Sequence, residues 1–146
     1  MRRTMKHAAI FLMSLTIITG CGKTLELKLT DSAIEYTNRE SSLYNCMEIV
    51  YDEKVYRPFA VAEMDMIGDE VVGYVSDEGE EISEYILSVV GENTDQWLIS
   101  VLNDGEHDCV TGENLGFLLK EESVTDIPEN FKAEESYEWN FLQEEN

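Results

Sequence analysis

The chain has 146 residues, with 31 acidic against 10 basic side chains and a formal net charge of −21. A charge of that sign and size repels polyanions, which sets aside nucleic acid and anionic lipid headgroups as partners and favours cationic peptides, basic proteins and divalent cations. The same charge also keeps an exported domain in solution without any partner.

At the N-terminus, Arg2, Arg3 and Lys6 precede an apolar run, Ala8 to Ile18, only eleven residues long. A membrane-crossing helix needs about 20 residues, so the run reads as the core of an export signal. It ends in Ile18-Thr19-Gly20-Cys21, an aliphatic residue, two small residues and a cysteine. This arrangement resembles the lipobox of bacterial lipoproteins, the motif read by the lipoprotein-specific signal peptidase. The resemblance covers residues 1 to 21. It implies cleavage after Gly20, a diacylglyceryl group with palmitate-type chains on the Cys21 thiol, and anchoring on the extracytoplasmic face of the cell membrane. Removing residues 1 to 20 takes away Arg2, Arg3 and Lys6 and no acid, so the net charge moves from −21 to −24.

Beyond Cys21, Leu25, Leu27 and Leu29 alternate with Glu26, Lys28 and Thr30, the period of a half-buried strand. From Asp31 to Asn45 the pattern is weak and reads as a linker. Residues 21 to 42 are therefore expected to be a lipidated tether with a short strand, and the compact domain to span 43 to 132.

Within that domain, Met47, Ile49 and Tyr51 alternate with polar neighbours, Asp52-Glu53-Lys54 is a turn signal, and Val55 to Val61 alternates again, which predicts a hairpin. Pro58 lacks an N–H and predicts an edge strand or a bulge there. Glu63 to Glu70 breaks the period and reads as a loop folded over a core by Met64 and Met66. Val71 to Val75 is a short strand whose Gly73 admits close approach of another backbone. Tyr85, Leu87 and Val89 share one face of a strand from Ser83. Trp97, Ile99 and Val101 oppose Leu98 and Leu102, a two-sided pattern that predicts a central strand. Cys109 to Thr111 is a short strand candidate, and Leu115 to Lys120 is the last strand. Strands about ten residues apart, separated by turn signals, predict a mainly β fold, a small antiparallel barrel or sandwich. The tail, residues 133 to 146, is either a solvated acidic tail or docks Tyr137, Trp139 and Phe141 on the domain.

The hairpin Glu48 to Phe59, with Gly73-Tyr74-Val75 and Asp126-Ile127-Pro128, is similar to small exported lipoproteins of Gram-positive bacteria that have no assigned function. That likeness supports the compartment and carries no active-site residue to this chain.

Three cysteines become two if Cys21 is acylated. Cys46 and Cys109 then either pair as a disulfide, which an exported chain permits, or remain two buried thiols. Without the signal segment the chain has one histidine, His107, in a turn with Asp104, Asp108 and Cys109. Ser-His-Asp and Cys-His chemistry need an imidazole with a nucleophile, and zinc needs three or four ligands, so a solvated turn histidine is the better reading. Asp77, Glu78, Glu80 and Glu81 around Gly79, and Asn103, Asp104, Glu106 and Asp108 around Gly105, are oxygen-rich as calcium requires, but neither has EF-hand spacing. No catalytic residue, metal ligand or cofactor is assigned. Tyr51, Tyr56, Phe59, Tyr74 and Trp97 are candidate interface anchors, each more readily explained as core. The resulting expectation is a lipid-anchored binding or interaction module with a protein or peptide partner. The alternative is a small envelope hydrolase using paired carboxylates.

Overall fold

A computed structural model describes residues 25–77 and 81–131. The signal segment with Cys21, the acids Glu78 and Glu80, and the tail from 132 onward lie outside the described residues.

Seven strands form the fold: β1 (Ile34–Glu40), β2 (Met47–Tyr51), β3 (Lys54–Val61), β4 (Ile67–Asp77), β5 (Glu81–Val89), β6 (Trp97–Leu102) and β7 (Leu115–Glu121). They close into a barrel in the order β1-β2-β3-β7-β6-β5-β4. The expected mainly β barrel is thus the fold. Its pairs are antiparallel except the closing one, where β1 runs parallel to β4 with Ile34 opposite Gly73 and Tyr36 opposite Val75. Gly73 makes that seam: a Cβ there would lie 2.1 Å from the Ile34 carbonyl oxygen, so the close approach anticipated at this residue is real.

The β2–β3 hairpin has a two-residue turn, Asp52 and Glu53, both at positive φ, 51° and 69°, with Tyr51 paired to Lys54. This twist matches that of the strands it joins. β3 slips register against β7 between Pro58 and Ala60, so Pro58 marks a bulge as expected. It is not on an edge, because β3 lies between β2 and β7.

Because side chains alternate along a strand, the barrel has two apolar cores. Inside, every strand contributes one buried residue: Tyr36, Ile49, Tyr56, Val75, Ile86, Leu98 and Leu119. Outside, the wall built from β3 to β7 carries Ile67, Leu87, Val89, Trp97, Ile99, Val101 and Leu118. That outer face is covered from both ends of the chain, by Leu25, Leu27 and Leu29 and by Val124, Ile127 and Phe131. Trp97 is the centre of the cover, stacked edge-on by Phe59 at 5.3 Å and by Phe131 at 4.9 Å. β6, apolar on both faces, is the central strand its sequence predicts.

Two sequence expectations need correction. Residues 34–40 are not linker but β1, a full barrel strand. Only Tyr36 of β1 is buried, which erases the alternation that would reveal it. The domain therefore begins before residue 43. The leucines at 25, 27 and 29 do alternate inward, yet they form a single bridge, Glu26 with Cys109, rather than a strand, and serve as cover for the core. The second concerns residues 63–70: Met64–Met66 is a 3₁₀ turn folded over the outer core as expected, but β4 already starts at Ile67. Among the described residues no helix is long and apolar enough to cross a membrane.

Candidate functional site

Each strand that contributes an inward core residue continues two positions along to another inward residue. On six strands these are Asn38, Met47, Pro58, Glu84, Ser100 and Phe117, a step from Tyr36, Ile49, Tyr56, Ile86, Leu98 and Leu119. All six line one cavity of about 350 Å³ at the barrel's mouth, with Ile49, Tyr56 and Leu119 behind them. The lower limit of small-molecule sites is about 300 Å³. The rim is apolar in part: Met47 is 45% exposed, and Leu102, which pairs with Glu84 across β5 and β6, is 54% exposed.

At the mouth the β6–β7 pairing shifts register between Ile99 and Val101. Ser100 supports the irregularity: its Oγ accepts the Phe117 N–H at 3.0 Å. Gly116 leaves room for this, since a Cβ there would stand 2.6 Å from Ser100 Oγ.

Glu84 is the ionisable group that faces this space. Burial pushes its carboxyl above the ordinary value. Among the described residues it has no hydrogen-bonding or charged side-chain partner. The other titratable groups lining the cavity are Cys46, Glu48 and Tyr56. Glu48, 3% exposed, is the opposite case. Arg39 Nε and Arg57 Nε each donate to one of its oxygens at 2.7 Å. Burial alone would raise this carboxyl, but the two guanidiniums outweigh it and hold Glu48 below the usual value. Arg57 also reaches Glu122 at 3.2 Å and lies over the Tyr44 ring at 4.9 Å, so the network is neutralised within the wall. Tyr56 donates its hydroxyl to the Thr94 carbonyl at 3.0 Å. Burial, with the charges of Asp95 and Glu121, pushes this phenol up to about 12. It is a proton donor at neutral pH and not a base.

The residues singled out from sequence are scattered. Cys21 lies outside the described residues. Cys46 is half-buried at the cavity, whereas Cys109 is buried under the N-terminal segment. Cys46 takes part in no disulfide, so the Cys46–Cys109 pairing is corrected: Cys46 lies at the cavity just before β2, and Cys109 lies in the β6–β7 connection, bridged to Glu26. His107 is surface-borne, its Nδ1 2.7 Å from Asp104 and its Nε2 3.3 Å from Glu113. Asp104 is held at about 2 by the backbone N–H of Glu106 and by the His107 ring and N–H; its hydrogen bond in turn raises His107. Both ring nitrogens face carboxylates, and neither meets a hydroxyl or thiol. Among the described residues no three His, Cys, Asp or Glu side chains converge as a metal site, and in the turn with Gly105 the Asp104 carboxylate is committed to local N–H groups. Of the aromatic candidates, Tyr56 and Trp97 are core, Phe59 packs on Trp97, and Tyr51 is 44% exposed beside Tyr36.

Sequence reasoning passed over Glu84 among so many acids. A signal was present in the spacing: Glu84 stands two positions from both Ile82 and Ile86, a carboxylate flanked by isoleucines. Comparisons with protein-family models, with curated proteins and with solved structures found no match.

Proposed function

We propose that this chain is a lipid-anchored binding module of the cell envelope, held on the extracytoplasmic face of the membrane through Cys21 and acting without catalysis. The observation that supports binding is the barrel mouth, a preformed cavity with apolar walls and a single unpartnered carboxylate, the composition typical of ligand pockets. The anchor rests on the lipobox resemblance. Two acyl chains hold a protein on a membrane stably where one gives marginal binding.

Replacing Cys21 tests the anchor. Cys21→Ala is expected to leave uncleaved precursor at the membrane or to release the protein into the medium, as read by fractionation and intact mass. Normal retention with normal cleavage in that variant refutes the anchor. So does a Cys21–Cys109 disulfide in the mature protein, because one sulfur cannot hold both a thioether and a disulfide. The described chain makes this a sharp control: Val110 N–H donates to the Leu25 carbonyl at 3.2 Å and Glu26 bridges to Cys109, so the first described residues lie beside Cys109. Binding is tested by native mass spectrometry of the full chain with envelope extract. A small molecule retained and returned unchanged is expected, and turnover of a glycan or cell-wall substrate that disappears on mutating one carboxylate replaces this reading with a hydrolase.

A further inference from the structure

The two acids nearest the barrel mouth are treated differently by the fold. Glu48 is supplied with two arginines inside the wall. Glu84 faces the cavity with Met47, Phe117 and Leu119 around it and no positive group among the described residues. A desolvated carboxylate without a partner is costly, and a counter-ion that enters with a ligand removes that cost. The remaining polar groups of the mouth, the Asn38 amide and the Ser100 hydroxyl, are neutral and can accept hydrogen bonds from the same ligand.

We infer that the barrel mouth binds a small primary ammonium ion with a short apolar tail, the ammonium on the Glu84 carboxylate and the tail against Met47, Phe117 and Leu119. This rests on the binding reading above and names the ligand class for its site. The cavity is too small for a folded partner, at about 350 Å³. Its aromatic wall favours a cation over an anion. The chain's net charge of −21 enriches cations around the opening. A free amine and a lysine-like side chain at a peptide end share this chemistry.

The probes are n-hexylammonium, 1-hexanol and hexanoate, titrated calorimetrically into the full chain in detergent at physiological salt. Hexylammonium is expected to saturate one site about tenfold more tightly than hexanol, the scale of one charge-assisted hydrogen bond, and hexanoate to be rejected. Glu84→Gln, which keeps the shape, brings hexylammonium to the level of hexanol. Met47→Trp narrows the mouth without touching Glu84 and weakens both. Melting curves establish that both variants fold. Equal affinity for ammonium and alcohol, a preference for hexanoate, or an ammonium preference that survives Glu84→Gln would overturn the assignment. A mouth that takes hexanol or hexanoate without ammonium preference sinks the amine and leaves the binding reading standing. Substrate turnover sinks the binding reading whatever the probes do.

Discussion

The two cores of this barrel share the strands β3 to β7 and differ in what they tolerate. The outer core holds aliphatic side chains with Trp97 and Phe131 and is sealed by segments from both chain ends. The inner core is a single layer with two tyrosines, and one step beyond it lies a cavity with a carboxylate. An outer face that is packed shut supplies the stability that lets the inner end stay open. Functional sites are commonly where a fold carries groups that cost it stability.

Deleting the centre of each core gives the largest contrast. Trp97→Ala removes a side chain only 1% exposed between Phe59 and Phe131, and is expected to cost about 3 to 5 kcal/mol in urea unfolding. Phe117→Ala at the cavity wall is expected to cost well under half of that, because its neighbours already border empty space. Equal losses would mean that the mouth is packed as tightly as the outer face.

The two glutamates sharpen the comparison by pH. Glu48 is lowered in the folded state, so its contribution is present above 4.5, the ordinary value, and disappears as pH falls through the lowered one. Glu48→Gln should cost about 1.5 to 3 kcal/mol at neutral pH and nothing in acid below that point. Most of the effect belongs to Arg57, whose side chain is 12% exposed, since Arg39 at 52% is screened by solvent. Persistence of the full loss in acid would show that charge pairing is not its source.

Glu84 has the reverse sign and the smallest effect. Its folded-state value is raised by burial, so stability is complete below 4.5 and is lost as pH rises through the raised value. Glu84→Gln should therefore melt about 2 to 4 °C higher than the natural chain at alkaline pH, with no difference in acid. A variant that melts lower at alkaline pH would indicate a partner for this carboxylate.

These contrasts also explain what the sequence could disclose. The outer core was legible because Trp97, Ile99 and Val101, or Tyr85, Leu87 and Val89, alternate strongly against one face. β1 was not, because its buried set is Tyr36 alone, with Thr37, Asn38, Arg39 and Glu40 beyond it. The mouth was hidden for a different reason. Its six residues come from six strands, and neither alternation nor spacing says that Asn38 and Ser100 look into one space until the sheet closes. Glu84 was visible as a carboxylate between isoleucines, but only closure decides that the face between them is an interior.

That closure depends on the parallel seam between β1 and β4, where Gly73 lets the Ile34 carbonyl pass. A sheet of seven strands with the seam open would have two unpaired edges, ready to pair with the edges of a second copy. Wherever copies of the chain meet at high concentration, such edges would template aggregation. The single missing Cβ at position 73 is thus a solubility device: it spares the protein a sticky ribbon by allowing the ribbon to bite its own tail.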